Sequence, residues 1–240
     1  MTTLASSPST IHIGLLLFPK ITQLDLTGPL QVLARVPGAK VHVLWKRIEP
    51  VMSDAGLALL PNMTLEACPK LDVICVPGGG GQVDLMDDAE VIAFVRRQGL
   101  QARFVTSVCT GALVLGAAGL LYGFNATTHW ASHDQLALFG AKPVKTRVCI
   151  DGNRITGGGV TAGIDFGLVL AEKLGGRKVA EMIQLSLEYN PKPPFSAGSP
   201  DTASPEVLAA VTAGMAPMLT ARSAASARAA ERMRALLDLG

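Results

Sequence analysis

The sequence predicts an α/β fold: a mostly parallel central sheet with helices on both faces and a C-terminal helical tail. Three observations predict it. Short β-branched and aliphatic runs at residues 11–17, 72–76 and 103–108 have the length and apolarity of strands buried on both faces. Segments with helical spacing lie between them. The clearest is 89–98, with Val91, Ile92 and Val95 on one face and Arg96, Arg97 and Gln98 on the other. Strand and helix signals alternate along the chain, as βαβ units require. With 240 residues, 49% of them hydrophobic, one sizeable core plus a modest appendage is expected.

Residues 11–17 read as the first strand, ended by Pro19. Leu24-Asp25-Leu26-Thr27-Gly28-Pro29 then opens a helix, with Thr27 placed to cap it and Pro29 in its early turn; Pro37-Gly38 stops it after about Arg35. Residues 41–48 form a second strand, 52–60 a strand or hairpin, and 72–76 a third strand terminated by Pro77-Gly78-Gly79-Gly80-Gly81. After the 89–98 helix, 103–108 is the next strand and 110–121 a helix of small and aliphatic residues. A helix is expected over 128–139, then strands at 144–150 and 154–156 joined by an Asp151-Gly152 turn. Helices follow over 163–174 and from Gly175-Gly176 to near Tyr189. Residues 191–200 are a Pro/Ser/Gly linker, and the Ala-rich tail from Pro205, with Arg222, Arg228, Arg232 and Arg234, reads as one or two amphipathic helices. The expected division is a loosely ordered 1–10, a catalytic domain over 11–190, and a linker and tail over 191–240 that pack on the domain or on a second copy.

A net charge of +2 with 17% charged residues and few aromatics argues against nucleic acid. Residues 1–10 are Ser/Thr-rich without Lys or Arg, unlike a secretory signal. The longest apolar stretch, 112–124, is too short to span a bilayer and is interrupted by glycine. A soluble, cytoplasmic chain is expected, with neither membrane nor nucleic-acid partner. Cys68, Cys75, Cys109 and Cys149 form no CxxC pair, so neither a structural zinc site nor a disulfide framework is expected. The glycine-rich segments match neither a P-loop nor a dinucleotide fingerprint.

In sheets of this kind, sites form at the carboxyl ends of strands. Asp25 follows the first strand, the 78–81 loop the third, and Cys109 the fourth. In Phe104-Val105-Thr106-Ser107-Val108-Cys109-Thr110-Gly111-Ala112 a β-branched strand stops at the cysteine and a helix starts at once. The turn must be tight and its backbone strained, as in a nucleophile elbow with sulfur in place of oxygen. Free N–H groups at the helix start are expected to lower the thiol pKa from roughly 8.5 towards neutrality. The alternative is a small buried thiol.

Asp25, between two leucines, either caps the following helix near Thr27-Gly28 or is a partly buried carboxyl that exchanges protons beside the cysteine. Gly78 and Gly79 either form a plain turn or present backbone N–H groups to a developing negative charge. His129 and His133 can be read as partners of Cys109 or as an i, i+4 metal pair, but no third ligand lies nearby. The 157–159 glycines either let a loop pass close to the site or simply end the hairpin.

Leu24-Asp25-Leu26-Thr27-Gly28-Pro29, Val76-Pro77-Gly78-Gly79, Ser107-Val108-Cys109-Thr110-Gly111-Ala112 and Ala126-Thr127-Thr128-His129-Trp130 together resemble the DJ-1/PfpI superfamily over about residues 11–190. The resemblance implies a flavodoxin-like sandwich. Asp25 with Cys109-Thr110 is similar to the isonitrile hydratases within it. PfpI-type proteases and several relatives carry His after the cysteine, where this chain has Thr110; they and DJ-1 carry Glu where it has Asp25. Those departures count against a protease, deglycase or glyoxalase reading; another thiol enzyme of glyoxalase, amidase or protease type stays as an alternative.

The resemblance implies that water adds to an isonitrile to give an N-substituted formamide, without cofactor or metal. It implies Cys109 as the nucleophile forming a thioimidate-type adduct, and Asp25 as general acid and base. The Thr110 hydroxyl would hold Asp25 or the water, and Gly158, opposite the nucleophile, would let the next helix pack close. It also implies a homodimer acting on a small-molecule isonitrile. The sensor halves of AraC-like transcription regulators share the elbow and the Thr-Thr-His-Trp segment. Those proteins continue with two helix-turn-helix units, whereas the tail here shows no turn-bounded recognition helix, so a non-enzymatic sensor is the second expectation.

Overall fold

The computed structural model describes residues 10–238. β1 (Ile11–Leu16) leads into α1 (Gln23–Leu33), and β2 (Ala39–Trp45) returns beside it. β3 (Val51–Met52) and β4 (Ala58–Leu59) make a small hairpin, and β5 (Met63–Thr64) edges the sheet. β6 (Val73–Val76) precedes α2 (Gln82–Asp87) and α3 (Ala89–Gly99); β7 (Phe104–Val108) precedes α4 (Gly111–Ala117). β8 (Asn125–Ala126) and β9 (Lys142–Pro143) flank a 3₁₀ segment, Trp130–Phe139. β10 (Val148–Asp151) and β11 (Arg154–Gly157) pair as a hairpin; α5 (Ala162–Gly175), α6 (Arg177–Ser186) and α7 (Pro205–Asp238) complete the chain.

The main sheet has seven strands in the order β10-β11-β7-β6-β1-β2-β5. Every neighbouring pair is parallel except β10 and β11. All four residues of β6 are buried, which is why such strands read as unbroken apolar runs. β1 has β2 on one side and β6 on the other. The winding reverses there, so the chains leaving β1 and β6 diverge and open a crevice beyond their carboxyl ends.

Several expectations shift. α1 starts at Gln23, so Thr27 is no cap: it lies inside the helix, its hydroxyl donating to Gln23 Oε1 at 2.9 Å. The reason is upstream. Ile21 is buried and bridges to Gly79, which delivers the chain to the helix start five residues early, with Thr22 in the capping position. Pro29 is therefore interior, and the Asp25 carbonyl goes without the i+4 donor that a proline cannot supply. The 128–139 helix is a 3₁₀ segment from Trp130, because Thr127 and Thr128 stay outside it and bond elsewhere through their hydroxyls. Of the expected 144–150 strand only 148–150 pair in the sheet, and the strand runs on to Asp151. α2, β5, β8 and β9 are too short to leave a periodic signal.

The tail is a single 34-residue helix despite Pro217. Its second half docks against α2, α4 and the 3₁₀ segment, with Ala225, Ala229, Ala230 and Met233 no more than 1% exposed. Arg228 and Arg232 both reach Asp87, at 2.6 and 2.5 Å. The first half leaves Val207 and Val211 exposed. By length and composition α7, not the 112–124 stretch, is the one helix among the described residues that could cross a membrane, yet its second half is docked on the domain. The expectation for the N-terminal ten residues lies outside the described residues, save Thr10.

The start of α4 presses on the end of β6. A Cβ at Gly111 would lie 1.9 Å from the Val76 carbonyl oxygen and 2.7 Å from that of Pro77. Backbone at a sheet end cannot yield as a side chain can. Gly111→Ala is expected to cost about 3 kcal/mol or more, read as a lower urea midpoint at unchanged m-value.

Candidate active site

Chain segments leaving β1, β6, β7 and β11 meet at the crevice. Cys109 sits between β7 and α4 with φ of 54°, a left-handed conformation for a residue with a side chain. The strain is held from both sides. The Cys109 N–H is shared between the carbonyls of Gly158 at 2.8 Å and Gly157 at 3.1 Å, and its carbonyl accepts the Thr128 hydroxyl at 2.8 Å. The sulfur faces the N–H groups of Thr110 and Val160. Only 5% of the residue is exposed.

Asp25 is fully buried in the first turn of α1. Its Oδ2 accepts the Gly78 N–H at 2.9 Å, and its Oδ1 has no partner. The carboxyl stands beside the Cys109 thiol, so it caps nothing. Thr110, also buried, accepts the Gly79 N–H on its hydroxyl at 3.2 Å. The two glycine N–H groups are thus engaged by Asp25 and Thr110 rather than open to a ligand. Glycine is required at 78: a Cβ there would lie 2.7 Å from Thr110 Oγ1 and 2.8 Å from Asp25 Oδ2. Gly158 touches Cys109 through its carbonyl, and a Cβ on it would make only ordinary contacts, the nearest 3.5 Å from the Arg147 carbonyl oxygen.

Burial pushes the Asp25 carboxyl up to about 7, against the Gly78 N–H and Cys109, which favour its ionised form; the negative charge of Asp54 adds to the rise. Burial first, and then the charge of an ionised Asp25, push the Cys109 thiol up, while the Thr110 and Val160 N–H groups pull it down. The helix start therefore does not by itself lower this thiol, because the crevice is dry and holds a carboxyl. Thiol and carboxyl titrate as a pair. When a proton sits on Asp25 that repulsion vanishes, which leaves burial opposing a thiolate and the same N–H groups stabilising one. Burial raises Cys75 to about 12, with the Asp25 charge adding to the rise, and Cys68 to about 11.

His129 and His133 do not pair with Cys109. Burial lowers His129 to about 4, with the Arg222 charge adding to the effect, and its Nδ1 accepts the Ala131 N–H. His133 Nε2 stands 3.1 Å from the Thr128 carbonyl. Among the described residues no group of three His, Cys, Asp or Glu side chains could hold a metal. A cavity of about 650 Å³ opens beside the elbow, lined by His129, Trp130, Val160 and, across from them, residues 198–201 of the linker.

One residue escaped the sequence reading. Arg222 of α7, 2% exposed, donates from Nε to Gln82 Oε1 at 2.7 Å and from Nη1 to Ser132 Oγ at 3.0 Å. The available signal was its position: Arg222, Ala225, Ala229 and Met233 recur at helical spacing along the docked face.

The DJ-1/PfpI family model matches residues 12–173. An isonitrile hydratase of Pseudomonas putida is 56% identical over 93% of this chain and 98% of its own length. The crystal structure of a THiJ/PfpI family protein from Pseudomonas syringae superposes with a TM-score of 0.89 at 43% identity, over 94% of this chain and 97% of that one. The HTH-type transcriptional regulator GbdR of Pseudomonas aeruginosa is 31% identical over 74% of this chain, which spans 50% of the regulator's length.

The buried carboxyl ties stability to pH. Asp25 is raised from 3.8 to about 7, so between those values the folded chain holds a proton that the unfolded chain has lost. Stability therefore falls as pH rises through that window, and the cost is fully present above it. Asp25→Asn carries no such proton. The variant is expected to be more stable than the parent at pH 8, by an amount on the order of 3 kcal/mol, with the gap closing towards pH 4. Urea unfolding across that pH range checks it; a pH-independent gap would contradict the buried, proton-holding carboxyl.

Proposed function

The chain belongs to the DJ-1/PfpI family, and from that premise we propose that it is an isonitrile hydratase, a cofactor-free hydro-lyase that turns R–N≡C and water into R–NH–CHO. The observation that carries the reading is a buried carboxyl set against a buried thiol in the crevice: Asp25 beside Cys109, with Thr110 completing the set. The 56% identity to a hydratase over nearly the whole chain supports the same substrate class.

The chemistry uses each group in turn. The Cys109 thiolate attacks the isonitrile carbon while Asp25 gives that carbon its proton, leaving the thioimidate R–N=CH–S–Cys109 and an ionised carboxylate. Asp25 then takes a proton from water as the oxygen adds to the same carbon, and passes it to nitrogen. Loss of the hydroxyl proton to Asp25, formation of C=O and cleavage of C–S release the formamide and restore the thiolate and acid. The Thr110 hydroxyl, fixed by the Gly79 N–H, positions the water or the carboxyl. An acid that protonates carbon and then takes and returns protons at oxygen and nitrogen needs a pKa near working pH, which burial supplies to Asp25.

A sensor role is the second reading, favoured by the 31% identity to a transcriptional regulator. Turnover separates the two. The purified chain is expected to convert cyclohexyl isocyanide to its formamide. Cys109→Ala should abolish this, and Asp25→Asn should lower kcat roughly 10²- to 10⁴-fold in a folded chain. An inactive parent, or a fully active Cys109→Ala, overturns the enzyme reading. In the parent, kcat/KM should rise with pH through about 7, as the pair loses its first proton, and then level.

We also propose a cytoplasmic homodimer in which a second copy covers Val207 and Val211 on the uncovered half of α7. Sedimentation should report twice the 25.0 kDa chain mass. Val211→Glu is expected to return it to a single chain.

A further inference from the structure

The tail helix brings a buried cation to this site, and nothing in the reaction as written uses it. Arg222 makes its bonds to neutral acceptors only: Gln82 Oε1, Ser132 Oγ, and Met218 Sδ at 3.3 Å. Among the described residues it has no carboxylate within ion-pair distance. A guanidinium stays charged in a protein, and a buried charge without a counter-charge is strongly unfavourable. Gln82 shares the imbalance, since its Nε2 is buried with no acceptor. The pair therefore presents only donors to its surroundings.

What surrounds it is the elbow. Gln82 opens α2 directly after the 78–81 loop, whose Gly78 and Gly79 N–H groups hold Asp25 and Thr110. Ser132 lies just beyond Thr128, whose hydroxyl holds the Cys109 carbonyl. α7 also packs on α4, the helix that begins two residues after Cys109. One guanidinium thus bridges the two segments that fix the nucleophile, and Cys109 is the acidic group within its electrostatic reach.

We propose that Arg222 is a positioning residue of the active site: its charge is the counter-ion that holds the Asp25–Cys109 pair in the form with a thiolate on sulfur and the proton on Asp25. The inference rests on the Cys109 mechanism above and adds the tail helix to the machinery. The other groups coupled to the pair are Asp54 and Cys75, which oppose a second negative charge there; His129, which burial and the Arg222 charge keep neutral, is coupled to Arg222. Arg222 is the cation among them.

The test reads the thiolate directly, without turnover. The ultraviolet absorbance of the thiolate is titrated in the parent and corrected by subtracting the Cys109→Ser spectrum. In Arg222→Met the Cys109 titration is expected to move up by about one pH unit, a roughly fivefold loss of thiolate near pH 7. Arg222→Lys should restore most of it. Gln82→Glu is the second variant. It keeps the acceptor for Nε, replaces an unpartnered amide, and neutralises the guanidinium without emptying the site, so the same upward shift is expected in a folded chain. Turnover should follow through kcat with KM little changed. If Arg222→Met melts earlier but Cys109 titrates as in the parent, or if folded Gln82→Glu leaves the titration unmoved, Arg222 is only a tail anchor and the proposal falls. Because the thiolate is read by absorbance, these outcomes stand whether or not an isonitrile is turned over.

Discussion

One proton, shared by a carboxyl and a thiol that cannot both ionise in a dry crevice, is the constraint on which the rest of the site depends. Either group alone would be unremarkable chemistry. A buried aspartate without a neighbour would simply be protonated, and a buried cysteine would be inert. Together, each makes the other's charged form conditional. The fold supplies what this demands. The winding reversal at β1 and β6 puts the start of α1 beside the start of α4, and the side-chain-free Gly78 lets Asp25 and Thr110 approach the same loop.

Strain at Cys109 belongs to the same constraint. At φ of 54° Cys109 leaves the strand in a left-handed conformation, and its thiol stands beside Asp25. That conformation costs of order 1–3 kcal/mol, and it persists because three hydrogen bonds hold the residue at both ends. Two of them come from the end of β11, a strand in register with β7. Sheet register, not the loop, therefore fixes where the sulfur points. This explains why Gly158 matters through its carbonyl: any residue there offers that acceptor.

The sequence was most readable where a single physical rule acts. Unbroken apolar runs located the buried strands, and the abrupt change from Val108 to Gly111 located the elbow, because a strand that meets a helix without a spacer has few geometries open to it. It was least readable where distant segments set a property. The direction of the Cys109 pKa depends on Asp25, which is 84 positions away and meets it only across the sheet. The helix-start rule is local and so pointed the wrong way. Thr27 resembled a cap for the same reason: the residue that starts α1 early is Ile21, and its bridge to Gly79 has no trace in the local sequence.

Arg222 carries that argument furthest. On the docked face of α7 it stands in line with Ala225, Ala229 and Met233, where an apolar side chain would pack without any cost of desolvation. Docking alone does not ask for a guanidinium there. The two surface arginines that reach Asp87 already tie the helix to α2, although exposed pairs of that kind add at most about 1 kcal/mol. A cation kept in the interior with only neutral acceptors is unfavourable for the empty fold, and becomes favourable when a negative charge arrives within reach. In the proposed reaction the thiolate form of the Asp25–Cys109 pair would be such a charge, restored at the end of every cycle. The burial that holds the proton on Asp25 also removes the water that would screen Arg222, so the same dryness that makes the thiolate costly makes its counter-ion effective.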